Sequence, residues 1–254
     1  MRRTLLVAAL AACATLSLAA QAPRVFTHAD TLRGSNTPER AWWDAEFYDL
    51  HVRVQPADSS IRGWNGITYR VLHPAKVMQI DLQPPLDVDS IVQDGTHLAY
   101  RRDGNAFFVT LTAKQRMGAH RTVRVYYHGA WHADTAAPVP GRRRFGGPFH
   151  WNTDSLGAPW IATSDEGPGA STWWPVKDLP ADEPDSQRIA ITVPDPMIDV
   201  SNGRLRSTTH NADGTTTYEW FVADPINSYD VAINANASYV PVHDTFPGLQ
   251  GPLT

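Results

Sequence analysis

The residues best able to do chemistry in this 254-residue sequence are its ten histidines, its carboxylates and its serines, and their spacing withholds a complete catalytic set. A helical zinc-peptidase site needs His-Glu-x-x-His, because two histidines four apart project from one face and the glutamate beside them can act as base. The sequence has no such motif. Its nearest approach, His128-Gly129-Ala130-Trp131-His132, keeps the histidine spacing without the glutamate and continues a strand pattern, so the pair reads as strand-end or turn histidines. No Gly-x-Ser-x-Gly elbow marks a nucleophilic serine, although serine, histidine and aspartate are all plentiful. Gly146-Gly147 and Gly167-Pro168-Gly169 lack the lysine and the strand-to-helix setting of a phosphate loop and read as turns. The segment that stands out runs from Ala162 to Pro180. There Glu166, flanked by Asp165 and Gly167, precedes Trp173-Trp174-Pro175-Val176-Lys177-Asp178-Leu179-Pro180. From its neighbours alone Glu166 is a solvated loop carboxylate. Trp173, Trp174, Pro175, Asp178 and Pro180 read as a structural motif, since adjacent indoles are large apolar groups that anchor a loop and whose N–H needs a partner when buried.

The elements that must position this segment are strands. From Glu46, apolar residues alternate with polar ones: Tyr48, Leu50, Val52 and Val54 share one parity, and Asp49, His51 and Arg53 the other. Period two predicts a strand with one buried face. The signature returns at residues 67–71, 78–82, 107–111, 123–127, 188–193, 204–210, 215–222 and 229–235. Asp94-Gly95, Asp103-Gly104-Asn105 and Asp213-Gly214 predict tight turns between strands. Twenty prolines and seventeen glycines suit short strands and turns better than long helices. No stretch of twelve or more residues beyond the N-terminus has helical periodicity. The expectation is an all-β, antiparallel sandwich-like domain with little helix.

Arg2 and Arg3 followed by the apolar run Leu5 to Ala20 have the form of a secretory signal peptide, with Ala20-Gln21-Ala22 as the cleavage site. The run is short of the roughly 20 apolar residues of a bilayer span. Leu10-Ala11-Ala12-Cys13 also resembles a lipoprotein signal, so lipid anchoring through Cys13 stays open beside cleavage at Ala22. Export to the periplasm or exterior is expected either way. Cys13 is the single cysteine, which leaves the exported chain without a disulfide or a cysteine metal cluster. A formal net charge of −4 argues against a nucleic-acid footprint. The one basic run, Arg142-Arg143-Arg144 between Gly-containing turns, reads as a solvated loop. The expected organisation is a signal peptide over residues 1–22, an extended leader over 23–45, the β-domain over 46–243, and a linker over 244–254.

The segment around Glu166 resembles a hallmark of the aminopeptidase N family of zinc metallopeptidases, which also includes the leukotriene hydrolase. In that family a strand end Gln-x-Glu is followed by Ala-Arg and then by aromatic-Pro-Cys-x-Asp-x-Pro; Glu166, Ala170, Trp174, Pro175, Asp178 and Pro180 occupy the matching positions without a gap. Tyr48 to Val54, with the turn leading through Gly63 to Ile67–Val71, is similar to the family's opening hairpin. Asn202-Gly203 and Asp224-Pro225-Ile226-Asn227-Ser228-Tyr229 are similar to its Ser-Asn-Gly turn and the Asn-Pro-Ile-x-x-Tyr start of a strand. The likeness spans residues 46–243. Ser164 stands where the family has glutamine, Ser171 where it has arginine and Val176 where it has cysteine, so a family ion pair from position 171 is missing.

The resemblance implies an N-terminal domain of a zinc aminopeptidase, with the His-Glu-x-x-His motif in a catalytic domain outside this sequence. It implies that Glu166 binds the free α-ammonium group of a peptide, and that this chain alone holds no cofactor while zinc belongs to the complete enzyme. The implied partners are that catalytic domain and the substrate's N-terminus, with no nucleic acid and no transmembrane span. A reading of another class is a stand-alone secreted β-sandwich that binds carbohydrate or a protein partner, its nine tryptophans forming an aromatic platform.

Overall fold

Most of the period-two stretches fold as strands. The structure is a computed structural model that describes residues 25–131 and 148–242, with the backbone of residues 246–248 and 251–253. Its first strand, β1 (Trp43–Gln55), buries Trp43 and Ala45, then Tyr48, Leu50, Val52 and Val54. The switch of parity is made by an irregularity in the pairing with β2 (Ser60–Val71) between Ala45 and Phe47. One extra residue there lets odd and even positions face the same core.

Ten further strands complete the framework: β3 (Val77–Asp81), β4 (Asp87–Gln93), β5 (Thr96–His97), β6 (Ala99–Asp103), β7 (Ala106–Thr110), β8 (His120–Ala130), β9 (Phe149–Thr153), β10 (Pro159–Thr163), β11 (Ser186–Pro194) and β12 (Ile198–Val200). They are followed by β13 (Arg204–His210), β14 (Thr215–Val222) and β15 (Asn234–Asn236). An eight-stranded sheet has the order β13-β14-β11-β1-β2-β8-β4-β5, a four-stranded sheet β12-β15-β10-β9, and a three-stranded sheet β3-β7-β6. All three contribute to one apolar core, in which Leu50 and Ile191 of the large sheet join Ile80 and Phe107 of the three-stranded sheet and Phe149 and Ile161 of the four-stranded one. This is the expected all-β sandwich. Its pairings are antiparallel with one exception, the parallel contact of β1 with β11 in which Leu50 faces Ile189.

The tight turns fall where expected. Asp94-Gly95 joins β4 to β5 with both residues at positive φ, Gly104-Asn105 joins β6 to β7, and Asp213-Gly214 lies between β13 and β14. Three stretches differ from expectation. Residues 23–45 are not simply extended: α1 (His28–Gly34) and α2 (Pro38–Ala41) lie there, and β1 already begins at Trp43. Helix α1 starts at a capping box between Thr27 and Asp30, a short-range signal that a search for long helices passes over. Residues 229–235 keep their alternation, with Val231, Ile233 and Ala235 buried, but form only a 3-10 turn at Ser228–Asp230 and the brief β15. Side chains replace the ladder there: Asn202 Oδ1 accepts from the Ala232 amide at 2.8 Å and Thr163 Oγ1 from that of Ile233 at 3.0 Å. In the tail read as a linker, the backbone of β16 (Phe246–Gly248) pairs with β17 (Gly251–Leu253).

Helix α2 sends Arg40 into the core, where it is wholly buried. Its Nη2 donates to Asp81 Oδ2 at 2.5 Å, and its Nη1 to the carbonyls of Arg33 and Ser35. Burial holds the Asp81 carboxyl above its ordinary range, against the opposing pull of Arg40 and of donors from Gln79 and the Asp178 amide. Elsewhere in the core Asp199 on β12 accepts from the Trp220 indole at 3.1 Å through Oδ2, and its Oδ1 has no partner. Burial pushes this carboxyl up to about 8.

Removing one member of a buried ion pair strands the other charge, so Arg40→Leu is expected to destabilise the domain by about 3–5 kcal/mol in urea unfolding. Arg40→Leu combined with Asp81→Leu is expected to cost clearly less than the sum of the two single variants, although Gln79 and the Asp178 amide then lose their acceptor; an additive double variant would contradict the pairing. Asp199 stays protonated in the folded state up to about pH 8, whereas the unfolded residue ionises near pH ~4. The unfolded state therefore holds fewer protons in between, and stability falls as pH rises from about 4 to about 8. Thermal melts are expected to show a shallower decline across that window in Asp199→Asn than in the native chain, and equal slopes would refute the assignment.

Candidate functional site

The turn that carries Glu166 is built from the end of β10. Thr163 donates its amide to the Ile233 carbonyl at 3.1 Å and Ser164 to that of Pro148 at 2.8 Å, which fixes the strand up to the point where it leaves the sheet. Asp165 then turns inward and is buried, while Glu166 and Gly167 are exposed. The chain closes the turn with the Gly169 amide donating to the Asp165 carbonyl at 2.7 Å. Gly169 has φ of +94°, and a Cβ there would lie 2.4 Å from Asp178 Oδ2. Both the backbone conformation and the space require glycine.

The run beyond Gly169 is locked in place. Ala170–Thr172 form a 3-10 turn, and Trp173, Trp174 and Val176 are fully buried. Trp174 meets Tyr48 edge-on at 5.2 Å between ring centroids, and Trp173 lies beside Phe149 at 6.3 Å. Pro175 gives its carbonyl to Asn65 Nδ2 at 2.8 Å, and Val176 bridges backbone to backbone with Asp81 in both directions. Asp178 accepts from Ser171 Oγ at 2.6 Å and donates its own amide to Asp81 Oδ2 at 3.0 Å. The Ser171 hydroxyl thus supplies a neutral donor to the Asp178 carboxylate. Lys177 is buried too, donating to the Trp43 carbonyl at 2.5 Å, pairing with Asp182 and resting 4.4 Å from the Trp43 ring centroid. Burial lowers its pKa, opposed by Asp182. Trp173, Trp174, Pro175 and Asp178 are all buried in this run, and Pro180 lies exposed just beyond it. Among the described residues Trp174 Nε1 meets no acceptor within hydrogen-bond geometry, while the Trp173 indole points its N–H toward the Asp165 carboxyl without closing a short bond.

Asp165 and Glu166 are neighbours with opposite environments. Asp165 Oδ1 accepts from Thr172 Oγ1 at 2.7 Å, and its Oδ2 is buried without a partner. Burial pushes the carboxyl up to about 7; Thr172 and the nearby Trp173 indole pull the other way, and Asp178 adds to the rise. The Glu166 side chain is left facing solvent on a turn whose carbonyls are held from outside it. Arg33 Nη2 donates to the Gly167 carbonyl at 2.5 Å, and Gln83 Nε2 to the Pro168 carbonyl at 2.9 Å and to Ser171 Oγ at 3.0 Å. The sequence pattern flagged neither Arg33, Gln83 nor Asp165. Contacts spanning 134 and 85 positions leave no local signature, and Asp165 is marked only by its place at a strand end.

The other sequence candidates fall elsewhere. His128 Nδ1 pairs with Asp89 at 2.6 Å on the large sheet, whereas His132 and Arg142-Arg143-Arg144 lie outside the described residues. No three histidine, cysteine, aspartate or glutamate side chains converge to hold a metal ion among the described residues. Of the nine tryptophans Trp160 is exposed, Trp64, Trp131, Trp151 and Trp220 are half-buried and the rest are buried; Trp64 is stacked on His51 at 4.0 Å with Arg124 at 4.2 Å from its ring centroid. A cleft of about 670 Å³ between Pro56, Trp151, Pro159 and Met197 lies at the opposite end of β10 from Glu166. Among the described residues no helix is long and apolar enough to cross a membrane.

No protein-family model matches the sequence, and no curated protein matches it. Solved structures do match. A mutant M1 zinc metallopeptidase from Deinococcus radiodurans bound to the substrate Tyr-Ser-Ala is 21% identical over 78% of this chain and 43% of that one, with a TM-score of 0.63. A second structure of the Deinococcus radiodurans mutant is 20% identical over 80% of this chain and 44% of that one, at 0.64. A two-domain M1 zinc metallopeptidase mutant bound to L-arginine is 21% identical over 78% and 43%, at 0.62. This chain spans less than half the length of each structure it resembles. Within that span it shares the β-rich fold of these M1 zinc metallopeptidase structures.

Proposed function

We propose that this chain is the substrate-positioning N-terminal domain of an exported zinc aminopeptidase, and that Glu166 binds the free α-ammonium group of the peptide. The observation that carries the reading is the Glu166 turn: a solvent-facing carboxylate whose backbone is held at consecutive carbonyls and whose flanking run is buried and locked. A carboxylate that meets an ammonium makes charge-assisted hydrogen bonds, about twice as strong as neutral ones. Fixing the peptide's amino end at a set distance from the reacting centre confines cleavage to the first bond. Peptide and amino-acid ligands in the structurally similar M1 peptidases support a ligand of this class.

Zinc, when bound in the complete enzyme, activates water and polarises the scissile carbonyl. The described residues supply no ligand set for it, so its ligands are assigned to the catalytic domain that partners this one. The role left to this chain is binding and orientation. Glu166 holds the ammonium, Asp165 and Thr172 fix the inner side of the turn, and the tryptophan run ties the turn to the sandwich. Export rests on the N-terminal signal, with cleavage at Ala22 or lipidation at Cys13.

Two measurements test this reading. The isolated chain is expected to show no peptidase activity and no stoichiometric zinc; metal analysis giving one tightly bound zinc per chain would overturn the division of labour. In the complete enzyme, Glu166→Ala is expected to raise KM for free-amine peptides about ten- to hundredfold, the equivalent of a lost charged hydrogen bond. Unchanged kinetics would exclude the anchor role.

A further inference from the structure

The Glu166 turn has exposed side chains and lies beyond the end of its strand, so water would ordinarily satisfy its carbonyls. Instead a residue from the far N-terminal end of the described chain reaches it. Helix α1 lies against the three-stranded sheet through Leu32, which packs with Ala106 and Phe108 in a small apolar cluster apart from the main core. Its carbonyls are taken at several points: Gln79 Nε2 donates to the Leu32 carbonyl at 3.1 Å, and buried Arg40 Nη1 to the Arg33 carbonyl at 3.1 Å. At the start of the helix His28 Nε2 meets Asp103 at 3.1 Å. The backbone of Arg33 is thereby fixed to the same Arg40–Asp81 pair that receives the Asp178 amide. Its guanidinium completes the circuit by donating to the Gly167 carbonyl, one residue after Glu166.

We infer that Arg33 is a positioning residue: helix α1 delivers its guanidinium to the Gly167 carbonyl and so fixes the turn that presents Glu166 to the substrate ammonium. This inference rests on the proposed role of Glu166. A charged donor on a carbonyl constrains the turn more firmly than water does, because guanidinium hydrogen bonds are stronger and directional. A turn already held in its binding geometry loses less conformational freedom when the ligand arrives. Gln83 performs the neutral counterpart of this task on the next carbonyl. Arg33 itself does not touch the substrate in this scheme; its effect passes through the backbone at residues 167–168.

The test is a double-mutant cycle in the complete enzyme with an unblocked aminoacyl substrate. Arg33→Ala is expected to raise KM about tenfold with kcat within twofold, and Arg33→Lys to restore part of the loss, since an ammonium can also donate to a single carbonyl. In a Glu166→Ala background, Arg33→Ala is expected to add nothing, because the turn then has no carboxylate to present. Unchanged KM in Arg33→Ala, or a penalty of the same size in both backgrounds, would overturn the inference, the latter by showing that Arg33 serves stability alone. Thermal melts of Arg33→Ala and Arg33→Lys are expected within a few degrees of the parent. If Arg33→Ala fails to fold, the Lys variant carries the cycle, with a partial KM rise that vanishes in the Glu166→Ala background supporting the role. Native KM in Glu166→Ala alone would refute the anchor reading, a result distinct from failure of the Arg33 cycle.

Discussion

The buried Asp81 carboxylate is the point on which this domain's geometry turns. One oxygen accepts from Arg40 and from the Asp178 amide, the other from Gln79, while the Asp81 backbone bridges Val176 in both directions. A carboxylate this deep is costly to desolvate, and burial duly raises its pKa. Such an ion pair is weak evidence for stability, because an apolar replacement of similar volume can do as well. What it supplies is direction. Its three donors come from helix α2, strand β3 and the run 170–180, so one carboxylate ties together three segments distant in sequence.

From that hub the path to the candidate site is short. Asp178 stands on Asp81, Ser171 and Gly169 pack on Asp178, and Gly169 closes the turn begun at Asp165. On the other side Arg40 holds the carbonyl of Arg33, whose side chain returns to Gly167. Glu166 lies between the two routes. A side chain facing solvent is normally the least constrained part of a loop. Here the backbone on both sides of it is tied down, at Asp165, Gly167 and Pro168, and this combination suits a group that must meet a ligand at a set place.

The sequence made the strands legible because burial on one face of a sheet writes itself as alternation, and Tyr48, Leu50, Val52 and Val54 are all buried. The hairpin turns were legible for a similar local reason, the positive φ that Asp94-Gly95 accommodates. What could not be read from the residues was set by distant partners. β9 and β10 carry few alternating apolar residues, since Trp160 is exposed and Ile161 is the fully buried member of its strand. Residues 231–233 alternate like a strand, yet Asn202 and Thr163 take their amides. The parallel pairing of β1 with β11 joins segments more than a hundred residues apart and leaves no trace in either. Glu166 was found only through the order of its neighbours, Trp174, Pro175 and Asp178, whose burial explains why that order must be kept.

The adjacent carboxyls of residues 165 and 166 show how environment assigns opposite tasks to similar groups. Asp165 continues the inward side of the strand end, and burial keeps it protonated to about pH 7; in that form it adds no net charge to the turn. Glu166, one position on, faces water and is the one charged side chain among residues 164–169 that does so. Were Asp165 ionised at its depth, an uncompensated charge would lie near Asp178 and strain the packing around Gly169. Because Asp165 is buried, the turn presents one carboxylate to solvent, that of Glu166. On the proposed role, one exposed carboxylate answers one ammonium, which leaves the rest of a bound peptide to surfaces outside the turn.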